Sequence, residues 1–317
     1  MFKGCRVGVV VPAYNEERQI ESVLETMPDF VDRVFVVDDC SADKTSEITK
    51  HWSKRGHGNR VALIRHEARG GVGRAITTGY KAALDDGMEV IAVMAGDGQM
   101  DPKELPMILE PVADGKADYS KGNRLTSGVA WQKTPHVRYL GNAFLSLLTK
   151  IASGYWHVAD TQSGYTAISA EALRAIELDK LYPSYGYPND MLVRLNVRNF
   201  RVADVHIAPR YGIGERSSMK VWKVVPTVSL LLLRGFFYRM FQKYVIRDFH
   251  PLVFFYALGF FLTAIGLILG IVETVAKITQ GNIAIATVVL VALLGISGLQ
   301  LLLFAMWFDM EYNKELR

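Results

Sequence analysis

The sequence predicts an α/β domain built on a parallel sheet, followed by a two-helix membrane hairpin. Short β-branched runs alternate with segments of helical apolar spacing from Val7 to Val112, and a polar landmark stands just after each run. Charged residues make up 21% of the chain, yet between Leu252 and Trp307 only Glu273 and Lys277 carry charge.

In order, Val7–Val11, Val34–Val37, Val61–Ile64 and Val90–Met94 read as strands. Between and after them, Glu16–Met27, Lys44–Trp52, Arg74–Leu84 and Pro102–Val112 read as helices, with Asp43 and Asp101 placed as N-caps. Such alternation joins parallel strands by right-handed crossovers and puts a ligand site beyond their carboxyl ends.

The uncharged stretches Leu252–Val272 and Ile283–Phe308 are each long enough to cross a hydrocarbon core of roughly 30 Å. Glu273, Lys277, Gln280, Gly281 and Asn282 supply a polar connection between them. Lys220, Lys223, Arg234, Arg239, Lys243 and Arg247 precede the first stretch, and Lys314 and Arg317 follow the second, which places both ends in the cytoplasm. Trp222, Phe236, Phe237, Tyr238, Phe241, Tyr244 and Phe249 mingle with those basic residues, a pattern suited to the headgroup layer. Arg234 interrupts that segment before it could span. The expected division is a cytosolic domain over 1–220, interfacial helices over 221–250, and two transmembrane helices with a short cytoplasmic tail over 251–317.

Composition excludes other classes. With 36 Lys and Arg against 32 Asp and Glu, the net charge of +4 is too small for a dedicated nucleic-acid binder. Half the residues are hydrophobic, which excludes disorder. Cys5 and Cys40 are too few for a disulfide framework, and a reducing cytosolic compartment follows. The apolar run Val7–Val11 is cut by Pro12 and the pair Glu16, Glu17, so it reads as a strand and not as a signal peptide.

Each landmark has more than one chemical reading. Asp38 and Asp39 could bind the base and ribose of a nucleoside, or cap the next helix. Arg69-Gly-Gly-Val-Gly-Arg74 could bring backbone amides to a phosphate, although it lacks P-loop or GxGxxG spacing. Asp97-Gly-Gln99 offers oxygen ligands for Mg²⁺ or Mn²⁺, or forms a plain turn.

Taken in order, the landmarks are far more specific. Val9-Val-Val-Pro-Ala-Tyr-Asn-Glu16, Val36-Val-Asp-Asp-Cys-Ser41, Arg69-Gly-Gly-Val-Gly73 and Met94-Ala-Gly-Asp-Gly-Gln-Met-Asp-Pro102 resemble the family 2 glycosyltransferases of the GT-A fold. Lys121-Gly-Asn-Arg124, Asp160-Thr-Gln-Ser-Gly-Tyr165, and Pro209-Arg-Tyr-Gly with Arg216-Ser-Ser-Met-Lys220, resemble later elements of the polyprenyl-phosphate branch, which includes dolichol-phosphate mannose synthases. The resemblance implies a Rossmann-like, mostly parallel sheet with helices on both faces. It also implies transfer of a hexose from a UDP- or GDP-sugar to polyprenyl or dolichyl phosphate, at a bilayer, and leaves room for a homo-oligomer.

Position by position, the resemblance implies that Pro12, Ala13, Tyr14, Glu16, Asp39 and Gly71 hold the nucleotide, and that Asp97 and Gln99 hold a divalent cation and the diphosphate. Arg124, Arg138, Arg216 and Lys220 match basic positions around the donor and acceptor phosphates, and Asp190 stands where relatives with hydroxyl acceptors place a base. There are departures. Ala95 replaces the first acid of the usual Asp-x-Asp, and Arg69 stands where relatives often have Asn.

A phosphate monoester is already an anionic nucleophile at neutral pH and needs cations more than a base. Direct displacement at the anomeric carbon inverts it. A sugar or glycolipid hydroxyl acceptor would instead require Asp190 or Asp160 as a base, and the loss of an acid at Ala95 leaves open a non-catalytic nucleotide-binding scaffold.

Overall fold

The computed structural model describes residues 1–54, 60–125, 136–208, 210, 221–281 and 284–317, with backbone alone at 136–138, 221–223 and 280. The four predicted strands are β1 (Val7–Ala13), β2 (Arg33–Asp38), β3 (Val61–Arg65) and β4 (Val90–Val93). Three more follow: β5 (Tyr119–Asn123), β6 (Thr166–Ser169) and β7 (Val202–His206). They form one sheet in the order β3-β2-β1-β4-β6-β5-β7, parallel except for β6, which runs antiparallel to both β4 and β5.

β1 and β4 are buried along their whole length, as continuous apolar strands covered on both faces should be. Successive side chains go to opposite layers. Val7, Val9 and Val11 enter one core cluster with Ile20, Leu105 and Leu109, whereas Val10 joins Ile76, Tyr80, Met191 and Leu195 in the other. The covering helices are α1 (Ile20–Glu25), α2 (Thr45–Lys54), α3 (Val72–Asp85), α4 (Leu105–Ala113), α5 (His136–Ser153), α6 (Ala170–Ala175) and α7 (Tyr187–Val197). Gly79 lets α3 lie directly on β1: a Cβ there would sit 2.3 Å from Val10 Cγ1.

The first helix is much shorter than its predicted range of 16–27. Asn15 takes a left-handed φ of 57°, and the amides of Glu16 and Glu17 donate to Thr45 Oγ1 and Asp43 Oδ2 across the sheet edge, so the helix starts only at Ile20. The predicted caps are present. Asp43 accepts from the amide of Thr45 at 3.0 Å, and Asp101 accepts from that of Lys103 at 3.0 Å, at the head of a 3₁₀ turn that leads into α4.

Helix α8 (Val221–Phe241) continues as a π-helical turn over Gln242–Arg247, and α9 (Leu252–Gln280) and α10 (Ile285–Tyr312) follow. Compactness divides the chain into a catalytic-size unit of Met1–Phe236 with Leu316–Arg317, and a second unit of Phe237–Glu315. In the first, the amide of Val202 at the head of β7 donates to the carbonyl of Leu316 at 3.1 Å, and the Leu316 side chain packs on the core.

In the second unit, α9 and α10 pack through small residues: a Cβ on Gly298 would meet Thr263 Oγ1 at 2.4 Å, and one on Gly266 the amide of Gly295 at 3.2 Å. Arg239 forks onto Asp309 at 2.7 and 3.0 Å, with Tyr244 and Asn313 bonded to the same carboxylate, all buried. Among the described residues, three helices are long and apolar enough to cross a membrane, Val224–Arg247, Leu252–Thr279 and Ile285–Tyr312, one more than the sequence reading singled out.

Candidate active site

The loops after β1, β2 and β4 converge. The amide of Asp39 donates to the carbonyl of Ala13 at 2.9 Å and that of Gly96 to Pro12 at 3.1 Å, so Pro12 and Ala13 form a wall between the second and fourth strand ends. Asn15 ties the first two loops: its amide donates to Ser41 Oγ and its Oδ1 accepts from the amide of Ala42, each at 2.9 Å. Tyr14 is half-buried beneath a guanidinium, with Arg69 Cζ 4.0 Å from the centre of its ring. Arg69 thus spans from the glycine loop to the first strand's loop.

Asp38 and Asp39 do different work. Asp38 is fully buried and accepts from the amide of Ser41 at 2.9 Å and from Ser46 Oγ, which ties the loop after β2 to α2. Asp39 accepts from the amides of Gly70 at 2.8 Å and Gly71 at 2.7 Å, and meets His66 Nδ1 at 2.8 Å. Burial works to raise its pKa, but the hydrogen bonds from His66 and the two amides hold it below the ordinary carboxylate value. The second nitrogen of His66 reaches Thr78 Oγ1 at 3.0 Å.

That geometry also engages the glycine loop. The amides of Gly70 and Gly71 are bonded to Asp39, and that of Arg74 to the carbonyl of Pro183 at 3.1 Å. The glycines serve close packing: a Cβ on Gly73 would lie 2.2 Å from the carbonyl oxygen of Tyr182, and Gly71, at φ 92°, has Pro183 O at 2.6 Å from the same position. Gly71 thus donates its amide to Asp39 while its backbone seats against Pro183.

Asp97 and Gln99 share a tight turn around Gly98, which has φ 72°, and the amide of Gln99 donates to Asp97 Oδ1 at 3.0 Å. Across from them the Glu16 carboxyl is pushed up to about 7, first by burial and then by repulsion from Asp97 and Asp43. The loops thus hold an excess of negative charge. Among the described residues no group of three or more His, Cys, Asp or Glu is placed to hold a metal. One carboxylate, one amide oxygen and a nearby acid fit a hard cation that draws its remaining ligands from a diphosphate and water. They do not form an all-protein cage.

Beyond this turn a recess opens, lined in part by Gln99, Glu104, Arg124, Ser163, Tyr165 and Arg210. It lies where β4, β5 and β7 end and, because β6 is reversed, where β6 begins. Arg124 forks onto Asp160, Nε to Oδ2 at 2.7 Å and Nη2 to Oδ1 at 3.3 Å. Burial alone would raise the Asp160 pKa; the charge and hydrogen bonds of Arg124, with Lys121 behind, bring it below its usual value. Lys121 is wholly buried, donates to the carbonyl of Ser163, and is pushed down to about 7 by that burial. Glu104 accepts from the amide of Ala208 at 2.7 Å, and Arg210 reaches Asp101 at 3.4 Å.

The loop 160–165 is anchored from below. Gln162 Nε2 donates to Asn189 Oδ1 at 2.9 Å, and Thr149 of α5 donates to the same oxygen at 3.0 Å. Asp190, one residue on, accepts from the amide of Tyr182 at 3.0 Å and from Arg194 Nε at 2.9 Å. Its carboxylate is committed to the first turn of α7 and to the segment that packs on the glycine loop. Arg138 is described by its backbone alone, in the first turn of α5, and Arg216 and Lys220 lie outside the described residues.

The structure thus brings Pro12, Ala13, Tyr14, Glu16 and Asp97 to one set of loops and Gln99 and Arg124 to one recess. His66, Lys121 and Arg210 belong to the same framework and were missed. His66 directly follows a strand, as the other landmarks do, and Lys121 and Arg210 sit inside quoted motifs, but each gains its meaning only from a partner distant in sequence.

The profile of the family described as glycosyl transferase family 2 matches residues 8–177. The UDP-N-acetylglucosamine–dolichyl-phosphate N-acetylglucosaminyltransferase of Methanococcus voltae is 28% identical over 214 residues, 64% of this chain and 85% of that protein. The undecaprenyl-phosphate mannosyltransferase of Micrococcus luteus is 31% identical over 207 residues, 64% of this chain and 82% of that protein. Glucosyl-3-phosphoglycerate synthase of Mycobacterium tuberculosis, solved with Mn²⁺, UDP and glucosyl-3-phosphoglycerate, superposes with a TM-score of 0.55 at 20% identity, over 74% of this chain and 80% of that one. At that identity the likeness speaks for the GT-A fold alone.

Proposed function

The chain belongs to glycosyl transferase family 2 and is a glycosyltransferase, and we propose that it moves a hexose from a UDP- or GDP-sugar to polyprenyl or dolichyl phosphate, with inversion, at the cytoplasmic face of a membrane. The relatives named for dolichyl-phosphate and undecaprenyl-phosphate transfer support the acceptor class.

The observation that carries the reading is the recess in which Gln99, from the donor-side turn, and Arg124 share a wall. An acceptor phosphate oxygen entering beside Arg124 attacks the anomeric carbon, the bond from that carbon to the diphosphate breaks, and the nucleoside diphosphate leaves with the electron pair. Arg124, held at a fixed angle by Asp160, offsets repulsion between the two phosphate groups. Asp97 and Gln99 would hold a Mg²⁺ or Mn²⁺ ion whose charge stabilises the leaving diphosphate. Pro12, Ala13 and Tyr14 shape the nucleotide wall, with Arg69 over Tyr14 at its mouth.

No base is required, and the carboxylates a hydroxyl acceptor would need are engaged: Asp160 with Arg124, Asp190 with Tyr182 and Arg194, and Glu104 with Ala208. Asp190 acts here as an orienting group. Arg138, Arg216 and Lys220 complete the basic surround of the acceptor.

Two crossings are favoured over three. Leu316–Arg317 belong to the same compact unit as Met1–Phe236, so an even number of crossings separates them. Among the described residues the third span-length helix, Val224–Arg247, begins inside that unit, which supports α9 and α10 crossing while α8 lies along the interface with its basic residues.

A donor screen on purified protein with one short polyprenyl phosphate, reading product mass, tests the assignment. Hexosyl phosphate-linked product is expected. Efficient transfer to the bare polyprenol or to a glycolipid hydroxyl, and none to the phosphate, would overturn it.

A further inference from the structure

We infer that Asp204 of β7 is a positioning residue for the acceptor: its carboxylate clamps together the two loops that carry Arg124 and Asp160, and so sets where the Arg124 guanidinium stands in the recess. The role rests on the lipid-phosphate reading of that recess, and Asp204 lies outside the recess lining. Asp204 Oδ2 accepts from Asn123 Nδ2 at 2.7 Å and from the amide of Ala159 at 3.2 Å. Each donor is the residue just before a member of the forked pair, Asn123 before Arg124 and Ala159 before Asp160. One oxygen atom thus fixes both roots of the pair.

The surrounding bonds make those roots matter. Asn123 also accepts, through Oδ1, from the amide of Leu125 at 3.0 Å, so its side chain brackets Arg124 in the chain. The amide of Arg124 donates to Asp160 Oδ2 at 3.2 Å, and the same oxygen receives Arg124 Nε at 2.7 Å. Backbone and side chain of Arg124 are both aimed at one carboxylate, an arrangement that holds only while residues 123 and 159 keep their spacing. The parallel ladder of β5 and β7, with Lys121 opposite Asp204, forms through backbone groups and makes no use of the Asp204 side chain. Nor does stability account for an acid there. Its Oδ1 is shut away from solvent with no hydrogen-bond partner among the described residues, and burial holds its pKa above the ordinary carboxylate value although the Ala159 amide and Asn123 act to lower it. A carboxylate held there against its own desolvation, with its bonded oxygen engaging the neighbours of Arg124 and Asp160, serves geometry. A misplacement of about 1 Å at a reacting centre can lower turnover by about a hundredfold.

The test compares the full chain, assayed with a short polyprenyl phosphate, with Asp204→Leu, Asp204→Asn, Arg124→Ala and the double variant Asp204→Leu with Arg124→Ala. Leu approximates the shape of Asp but accepts no hydrogen bond, whereas Asn keeps one accepting oxygen. Asp204→Leu is expected to lower acceptor kcat/KM by about tenfold or more with nucleotide Kd changed by less than about twofold, and Asp204→Asn to stay within about threefold of the parent. In the Arg124→Ala background, Asp204→Leu should cost less than about a further twofold, because the clamp has no guanidinium left to hold. An equal loss in both backgrounds, an Asn variant as impaired as the Leu variant, or an unimpaired Leu variant where Arg124→Ala is impaired, would each overturn the clamp and leave the lipid-phosphate reading standing. If Arg124→Ala itself leaves acceptor kcat/KM unchanged, the reading of Arg124 falls and the clamp falls with it. Should Asp204→Leu lose nucleotide binding, Asn123→Ala, which removes one of the two donors and leaves the carboxylate, takes its place under the same criteria, with a loss of about threefold or more expected.

Discussion

Arg124 and Asp160 form a forked ion pair in which the carboxylate is wholly buried and the guanidinium keeps part of its surface toward the recess. The pair makes Arg124 a fixed cation instead of a searching one, and it also makes Asp160 dependent on Arg124. Arg124→Ala is expected to lower kcat/KM for the acceptor by about ten- to a hundredfold while leaving donor affinity nearly unchanged. Because the substitution strands a buried carboxylate, Arg124→Ala with Asp160→Asn should recover stability without recovering turnover. Full turnover in that double variant would remove Arg124 from the mechanism.

Asp97→Asn should abolish most activity with the fold intact, since its carboxylate faces the loops and not the core. Ala95→Asp should leave activity unchanged or tighten Mn²⁺ binding, measured by titration. Near-normal turnover in the first variant would sink the metal assignment.

Lys121 is pushed down to about 7 in the fold from 10.5. Between those values the unfolded chain binds the extra proton, so stability should rise with pH through that window, the penalty of the buried charge being fully present below it. In Lys121→Met that slope should flatten, read as denaturation midpoint against pH. An unaltered slope would show that Lys121 does not titrate there.

Deletion of everything after Arg247 should leave nucleotide binding measurable by calorimetry, since the loops that form the donor wall lie in Met1–Phe236, while turnover on a bilayer-borne acceptor falls sharply. The truncated unit should also melt below the full chain, because it loses the Leu316 side chain and the acceptor for the Val202 amide. A melting point equal to that of the full chain would show that the contact contributes nothing.

In the second unit, Asp309→Asn should destabilise by about 3–5 kcal/mol, because Arg239 is left as a buried unpaired charge. Thermal unfolding in detergent measures it. Arg239→Leu combined with Asp309→Leu should lose much less.

β1, β2 and β4 are legible because they are buried on both faces and read as unbroken apolar, largely β-branched runs, whereas β3, only partly buried, is legible from its short apolar run alone. β5 is not: its sequence, YSKGN, is polar, and Lys121 lies in the core only because Ser163 and Asp160 receive it there. Its neighbours β6 and β7 are separated from it by long intervals, so no local pattern announces them. The landmarks at strand ends were readable as chemistry, but their partners were not. Asp39 is bonded to Gly70, Gly71 and His66, and Asp190 to Tyr182 and Arg194, and none of these pairings is announced by the local sequence around the carboxylate.

The hydrogen bond from Val202 to Leu316 also sets an order of events during synthesis. Val202 heads the outermost strand of the sheet, and the residue that receives its amide emerges from the ribosome only after α9 and α10 have been made. Until then that corner of the sheet has an unfilled apolar notch and an open donor, the features through which nascent strands pair wrongly. Completion of the first unit therefore waits on α9 and α10, and a chain whose synthesis stalls within them is left with its sheet edge unsealed.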